Sequence, residues 1–354
     1  MNAPPGLRTP GCAQFPALRP RFEAFLRRVI YVLNDMTIRQ FINECVDRLA
    51  PLYPAPEAKS IAFRLLEHYT VIPSYKFLSE PELIVDTALR TDLPSSSQRN
   101  ARPTEGHPLR AALAELETGR PLQYVLGVTE FCGHRFKVGE GCLIPRPETE
   151  ELVSRIVDDL YADQEDDEAT PLRSAGVMPG LTGHLDTEDD GPFSILDMCT
   201  GSGCIAWSLA AEFPEAMVYG CDVSEAALGY ACRQRVKVRG AKPVFFSADV
   251  LAAPPGGLPQ FDVIVSNPPY ICDSEQAAMR PNVLDFEPAE ALFVPDADPL
   301  KFYRAISRWA DVLLRPDGHL YLEINERFGP ETAALFPGAH VVKDITGRDR
   351  FVIR

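Results

Sequence analysis

The residues whose types and spacing best suit chemistry are Asn267-Pro268-Pro269-Tyr270, which follow an apolar run at 261–266. An asparagine side chain offers one carbonyl acceptor and two N–H donors. Pro268 keeps its carbonyl but lacks a backbone N–H. Two rigid carbonyl acceptors beside an aromatic ring can hold a planar amino group by both of its hydrogens. The alternative interpretation of these four residues is a plain proline turn after a strand.

A second set of residues has the types expected around a nucleoside. The loop Cys199-Thr200-Gly201-Ser202-Gly203 joins an apolar run to a helical segment, and glycines there let a ligand approach the backbone and the free N–H groups of a helix N-terminus. Asp222 and Asp249 end the next two apolar runs, and an acid about twenty residues after such a loop can bind a ribose diol. The sequence therefore predicts a nucleoside cofactor. From the loop alone NAD is an alternative, although the pattern is not G-x-G-x-x-G.

The elements that must position these residues alternate between strand and helix from residue 193 onward. We interpret short apolar runs as strands at 195–198, 218–220, 244–246, 263–265, 319–324, 340–343 and 350–353, with helices near 203–213, 224–237 and 299–314. This alternation predicts an α/β fold with a doubly wound, mainly parallel sheet. The carboxyl ends of such strands share one crevice, so the loop, both acids and Asn267 are expected to meet there.

The first part of the chain has a different pattern. Apolar residues at three- and four-residue spacing predict four helices. The first begins after an N-cap at Thr37, and the second spans 57–69. The third runs from Ser79 to about residue 89, and the fourth spans 108–118. Short strand-like runs at 124–126, 131 and 136–138 predict a β-hairpin, and a helix is predicted over 148–160. We divide the chain into an N-terminal extension (1–35), a helical domain (36–120), a β-hairpin connector (121–147) and an α/β domain (148–354). A solvated acidic insertion (161–192) interrupts the α/β domain.

Several motifs resemble a known family. The Asn267–Tyr270 motif with the Cys199–Gly203 loop resembles S-adenosylmethionine-dependent methyltransferases that act on amide or exocyclic amino nitrogens. The segments GRPLQYVLG at 119–127 and LIPRPETE at 143–150 narrow the resemblance to the HemK/PrmC family of protein-(glutamine-N5) methyltransferases. FEPxxAL at 286–292 and KDxxGxDR at 343–350 match the same family in the same order. The resemblance covers about residues 37–354, except the acidic insertion.

This resemblance implies a class I methyltransferase fold, which is Rossmann-like with a seven-stranded mixed sheet, and S-adenosyl-L-methionine as cofactor. It implies methylation of the glutamine in the Gly-Gly-Gln motif of class-1 peptide chain release factors, which supports translation termination. The helical domain would dock the protein substrate. The residues implied in catalysis are Asn267, Pro268, Pro269 and Tyr270, and those implied in cofactor binding are Cys199, Thr200, Gly201, Ser202, Gly203, Asp222, Asp249, Val250, Asn267, Arg146 and Thr149.

Within that set, Asn267 and the Pro268 carbonyl would bind the glutamine amide, with Tyr270 stacked nearby. The loop would hold the methionine part, Asp222 the ribose, and Asp249 with Val250 the adenine, while 146–149 would close over the site. Two positions depart from the family: Cys199 stands where glycine is usual, which loosens backbone approach, and Val250 stands where an aromatic residue is frequent.

Three other functions are compatible with part of the pattern. A ribosomal-protein glutamine would present the same amide, so the catalytic motif does not separate that substrate from a release factor. A DNA adenine methyltransferase also uses an Asn-Pro-Pro-Tyr motif, but it must extrude a base and hold a polyanion. A non-catalytic interaction protein would have no need of the intact Asn267–Tyr270 motif and Asp222.

Composition restricts the partners. The 35 Lys and Arg residues against 50 Asp and Glu residues give a formal net charge of −15, which argues against a large phosphate-binding surface, and we expect no stable nucleic-acid binding. No apolar run reaches the length of a membrane-spanning helix. The nine cysteines lack C-x-x-C spacing, so we expect reduced thiols and no metal site. We expect a cytoplasmic monomer whose natural start is Met36, after a non-essential extension.

Overall fold

The computed structural model describes residues 36–91, 107–167 and 191–354. These residues form two compact units, the first containing 36–91 with 107–113 and the second containing 114–167 with 191–354. The predicted helical domain, 36–120, contains the first unit. The predicted extension 1–35 and most of the acidic insertion lie outside the described residues. In the described ranges, no helix has both the length and the apolar character needed to cross a membrane.

The first unit is built from helices around a small apolar core. Its helices are α1 (Ile38–Leu49), α2 (Ala55–Tyr69), α3 (Lys76–Ser79) and the first residues of α4 (Pro108–Leu116), with a 3₁₀ turn at Asp86–Ala88. Thr37 caps α1, because its side chain accepts a hydrogen bond from the Gln40 N–H and the Gln40 side chain accepts one from the Thr37 N–H. The predicted N-cap at Thr37 is therefore confirmed. The inward face of α1 buries Phe41 and Cys45 completely.

The helix predicted from Ser79 to residue 89 is wrong. Ser79 is the last residue of α3. The backbone that follows it forms hydrogen bonds with the residues at the start of α1. The Ile38 N–H donates to the Leu83 carbonyl at 3.0 Å, and the Val85 N–H donates to the Met36 carbonyl at 2.8 Å. These tertiary partners satisfy backbone groups that a helix would have paired internally, so the segment needs no helix.

The second unit begins with a helix and a hairpin. Residues 124–126, which we predicted as a strand, lie in α5 (Leu122–Leu126), so that prediction is wrong. Gly127 ends this helix in the left-handed conformation at φ 68°, which explains why a five-residue helix can stop there. The predicted hairpin is confirmed, since β1 (Val128–Phe131) pairs antiparallel with β2 (His134–Lys137). Cys132 and Gly133 form the two-residue turn with positive φ at both positions.

The seven-stranded sheet of the second unit has the predicted mixed, mainly parallel topology. Its strands are β3 (Ser194–Met198), β4 (Met217–Asp222), β5 (Val244–Ser247), β6 (Phe261–Ser266), β9 (Leu314–Glu323), β10 (His340–Lys343) and β11 (Asp349–Ile353). The order across the sheet is β10-β11-β9-β6-β3-β4-β5, in which β11 runs antiparallel to both neighbours and the five strands from β9 to β5 are parallel. The strand order reverses between β3 and β6, which is where such a sheet binds its ligand.

Helices cover both faces of this sheet. They are α6 (Pro147–Asp167), α7 (Cys204–Glu212), α8 (Glu225–Ala231), α9 (Pro281–Leu284), α10 (Lys301–Leu313) and α11 (Gly329–Ala333), and a two-stranded ribbon pairs β7 (Ile271–Cys272) with β8 (Phe293–Val294). One core joins α6 and α7 to one face of the sheet around Trp207, and the other joins α10 to the opposite face around Trp309. Both cores are apolar, so the polar residues at the strand ends stand out.

Two helix boundaries differ from the predictions. The helix predicted at 224–237 ends at Ala231, where the Cys232 N–H closes the last turn on Leu228. The helix predicted at 148–160 extends to Asp167, so it includes the first acidic residues of the predicted insertion. The eight cysteines among the described residues are free thiols.

Candidate functional site

A cavity of about 910 Å³, including its open mouth, lies in the second unit at the carboxyl ends of β3, β4, β5 and β6. The predicted site residues that line it are Arg146, Thr149, Cys199, Thr200, Gly201, Ser202, Asp222, Asp249, Val250, Asn267 and Pro269. Gly203, Pro268 and Tyr270 are adjacent to lining residues in the chain but are not themselves part of the lining. The convergence expected from strand order is therefore found.

The loop after β3 has the backbone geometry that its composition predicts. Gly201 and Gly203 adopt left-handed φ values of 57° and 78°, and Cys199 adopts 59° without being glycine. A side chain in that region carries conformational strain, because its Cβ crowds the backbone. Burial raises the pKa of the Cys199 thiol well above its ordinary value, so this thiol is neutral.

Two acids accept hydrogen bonds from the Cys199–Gly203 loop. Asp222 at the end of β4 accepts hydrogen bonds from the Gly201 N–H at 2.8 Å and from the Ser224 N–H at 2.9 Å. The buried Asp197 accepts from the Thr200 hydroxyl and from the Ala206 N–H. Burial raises the pKa of Asp222, and burial also raises the pKa of Asp197 to about 7. Asp222 thus has a second duty besides the predicted ribose contact, since it shapes the loop.

The wall beyond β5 is less polar. Asp249 uses one carboxylate oxygen to accept from the Leu251 N–H at 2.9 Å. Val250 is buried in the core beside β6 and also reaches the cavity. The sequence-based set missed several apolar residues of the wall, namely Leu143, Val223, Pro288, Ala291 and Phe302. These side chains carry no chemical signal in sequence, because apolar residues occur throughout the chain.

The NH₂ group of the Asn267 side chain has a hydrogen-bond partner. Its Nδ2 donates to the Thr149 hydroxyl at 2.9 Å, and that hydroxyl donates to Glu323 Oε2 at 2.7 Å. The opposite edge of the amide carries Oδ1, which is the acceptor that this bond leaves for a ligand. Tyr270 does not line the cavity; its hydroxyl donates to Glu323 Oε1 at 2.8 Å. Burial raises the pKa of Tyr270 well above its ordinary value, so it remains a donor.

Two buried acids at the site were missed as site residues. Glu323 ends β9 with 1% exposure, and the Glu287 side chain is equally enclosed. Glu287 accepts from the Ile144 N–H at 3.0 Å and from Arg146 Nη2 at 2.7 Å, so it anchors the wall formed by 143–149. The signal that could have found Glu323 is an acid inside an apolar run, because buried carboxylates are rare unless partnered.

The arrangement suits a nucleoside with a polar tail. The loop residues 199–202, the Asp222 carboxylate and apolar side chains such as Val250 and Phe302 line one cavity. Asn267 and Pro269, which follow β6, line the same cavity. The site therefore combines a cofactor pocket with a fixed amide acceptor.

Comparison with known proteins finds a matching family model, curated relatives and a solved structure. The Methyltransferase small domain family model matches residues 180–284. A release factor glutamine methyltransferase from Bacteroides thetaiotaomicron is 41% identical over 69% of this chain and 79% of its own length. One from Flavobacterium psychrophilum is 34% identical over 90% of this chain and 98% of its own. The solved structure of TrmN from Thermus thermophilus matches 46% of this chain and 43% of that chain at 26% identity, with a TM-score of 0.32.

Proposed function

The chain belongs to the family of release factor glutamine methyltransferases, and on this premise we propose that it methylates the side-chain amide nitrogen of the glutamine in the Gly-Gly-Gln motif of class-1 peptide chain release factors. It is an S-adenosylmethionine-dependent methyltransferase, as the family and the methyltransferase domain require. The observation that supports the proposed substrate chemistry is the Asn267 amide, which lines the cavity and is held there by the hydrogen bond of its NH₂ group to Thr149.

The cavity has a suitable group for each part of the cofactor. Asp222 would accept hydrogen bonds from the ribose, the Cys199–Gly203 loop would hold the methionine part, and the end near Asp249 and Val250 would enclose the adenine. The methyl group to be transferred is supplied by the sulfonium of the bound S-adenosylmethionine. Arg146 and Thr149, which line the cavity, would close over the bound cofactor.

The protein's own task is to prepare an amide nitrogen for attack. That nitrogen is a poor nucleophile, because its lone pair is delocalised into the carbonyl. Asn267 Oδ1 and the Pro268 carbonyl would each accept one hydrogen of the glutamine NH₂ group, which fixes the direction of the nitrogen. The same acceptors stabilise the positive charge that develops on nitrogen during transfer. As the N–CH₃ bond forms, the S–CH₃ bond would break and leave its electron pair on sulfur. The methylated nitrogen would then lose an acidic proton to water, so no base is needed beforehand.

The finer partner assignments follow from charge and from the substrate. We assign the reaction to the cytoplasm, where release factors work. Stable nucleic-acid binding is not part of the proposal, because a net charge of −15 repels a polyanion.

The test is mass spectrometry of a purified class-1 release factor after incubation with the enzyme and S-adenosylmethionine. We expect one added methyl group on the Gly-Gly-Gln glutamine, and none when that glutamine is replaced by alanine. A parallel incubation with ribosomal proteins distinguishes the alternative substrate. A methyl group on a ribosomal glutamine, with an unmodified release factor and confirmed cofactor binding, would overturn the proposed substrate.

A further inference from the structure

Glu323 is the centre of a buried hydrogen-bond network that meets the cavity at Asn267. Its two carboxylate oxygens accept from two hydroxyls, that of Thr149 at 2.7 Å and that of Tyr270 at 2.8 Å. The Thr149 hydroxyl in turn accepts from Asn267 Nδ2 at 2.9 Å. Thr149 and Glu323 are at most 2% exposed, so this path is shielded from competing water.

The network has a direction. An ionised carboxylate has no hydrogen to give, and a hydroxyl has only one. Because Thr149 gives its hydrogen to Glu323, its oxygen can only accept from Asn267. The Asn267 amide must therefore turn its NH₂ group toward Thr149 and its Oδ1 away from it.

This orientation matters for the proposed reaction. Methyl transfer to a glutamine amide needs an acceptor on that side of Asn267. With the amide rotated by half a turn, its NH₂ group would face the NH₂ group of the incoming glutamine. Two donors would then oppose each other, and neither orientation nor charge stabilisation would be provided.

Burial raises the pKa of Glu323 above its ordinary value, and a nearby cation partly opposes this effect. Burial is the largest influence on the pKa of Glu323 and raises it, while Thr149, Tyr270 and the positive charge of Arg350 lower it. Glu148 is the nearby acid that opposes them. Arg350 is itself held at Nε by Asp344 at 3.3 Å. The motif KDxxGxDR at 343–350, to which the catalytic roles assign nothing, thus contributes through this arginine.

We propose that Glu323 is a positioning residue, which acts through Thr149 to hold the Asn267 amide with its carbonyl oxygen toward the substrate nitrogen. The inference rests on the proposed function, since the orientation of this amide has a kinetic consequence only where a nitrogen is methylated. Neither Glu323 nor Thr149 touches the reacting atoms in this scheme.

The kinetic test compares variants that differ by single atoms. Thr149→Val removes the hydroxyl at constant shape, and Glu323→Gln introduces a donor where only acceptors stood. We expect each to lower kcat for release-factor methylation by about ten- to a hundredfold, with less than about threefold change in KM and in the dissociation constant for S-adenosylmethionine. Thr149→Ser restores the hydroxyl and should recover at least about tenfold of the loss seen with valine.

Tyr303→Phe is the matched control. The Tyr303 hydroxyl is fully buried and donates to the backbone carbonyl of Glu323 at 3.2 Å, so this variant removes a hydrogen bond to the same residue but not to its carboxylate. We expect its kcat to stay within about twofold of wild type. A loss equal to that of Glu323→Gln would assign Glu323 a merely structural role and overturn the proposal. So would a Thr149→Ser variant no better than Thr149→Val.

A second measurement requires no turnover. In protein labelled with [¹⁵N]asparagine, the side-chain NH₂ signal of Asn267 is identified by its loss in Asn267→Ala. We expect the two hydrogens of this group to differ in chemical shift in the wild type. In Thr149→Val we expect the difference between their chemical shifts to become smaller. Unchanged signals in Thr149→Val would overturn the proposed orientation, whereas a wild-type enzyme that leaves the release factor unmethylated would overturn only the proposed function.

Discussion

Replacement of Asn267 by alanine separates the chemistry of methyl transfer from cofactor binding. The substitution removes Oδ1, one of the two acceptors proposed for the glutamine NH₂ group, and it also removes the donor to the Thr149 hydroxyl. The Cys199–Gly203 loop follows β3, and Asp222, which accepts a hydrogen bond from it, ends β4. The substitution after β6 therefore leaves this hydrogen bond in place. The two functions should therefore respond differently.

The size of the effect follows from the number of lost contacts. One oriented hydrogen-bonding group in a preorganised site contributes about 10²–10³ in kcat, which is roughly 3–4 kcal/mol of transition-state stabilisation. We expect a fall of that size for Asn267→Ala. The dissociation constant for S-adenosylmethionine should change by less than about threefold, because Asn267 provides only part of one wall of the pocket.

The assay is single-turnover methylation of a release factor with saturating enzyme, paired with calorimetric titration of the cofactor and thermal unfolding of the same sample. Unfolding identifies a variant that fails because it no longer folds. Turnover within tenfold of wild type would refute the acceptor role of Asn267. Equal losses of turnover and cofactor affinity would refute its specificity for the substrate side.

Three further predictions concern acids in or next to the cavity wall. Asp222→Ala should weaken S-adenosylmethionine binding by about a hundredfold, because Asp222 accepts from the Gly201 N–H and would accept from the ribose; calorimetry that finds less than a threefold change contradicts it. With a folded-state pKa of about 7, Asp197 holds its proton more tightly in the folded protein than in the unfolded chain. The free energy of unfolding therefore falls by about 1.4 kcal/mol per pH unit as pH rises from about 4 to 7. Asp197→Asn should remove this slope in urea unfolding at pH 5 and pH 7, and parallel pH dependences would refute the assignment. Glu287→Gln should lower the free energy of unfolding by about 1 kcal/mol, since Arg146 is partly exposed and the Ile144 N–H keeps an acceptor; an unchanged urea midpoint would count against it.

The strand ends were the predictable part of the fold and of the site. Period and composition located β3, β4, β5 and β6, and the rule that parallel strands share one carboxyl edge then placed Asp222, Asp249 and Asn267 around one cavity. The rule needs no knowledge of side-chain packing, because the parallel sheet itself brings these ends together.

Short segments next to glycine and proline were predicted less well. Residues 124–126 are apolar and β-like in composition, but Pro121 precedes them and Gly127 closes them as one helical turn. The segment after Ser79 has the composition of a helix start, yet its backbone pairs with the chain around α1. At 124–126 the flanking proline and glycine decide the conformation, whereas after Ser79 tertiary hydrogen bonds outweigh a local preference of a few tenths of a kcal/mol per residue.

Glu323 shows why the support of a site is harder to predict than the site. Sequence analysis could assign Asn267 a role because an amide after a strand has a direct chemical use. Glu323 contacts that amide only through Thr149, which lies 174 residues earlier in the chain. The direction of the Asn267 amide depends on which hydroxyl hydrogen points to which carboxylate oxygen, and spacing in sequence contains no such information. A buried acid in an apolar strand nevertheless identifies a place where a hydrogen-bond partner must exist, because an unpaired carboxylate there would cost several kcal/mol. Acids within the apolar strands of a parallel sheet are therefore the positions at which to seek residues that orient a catalytic group.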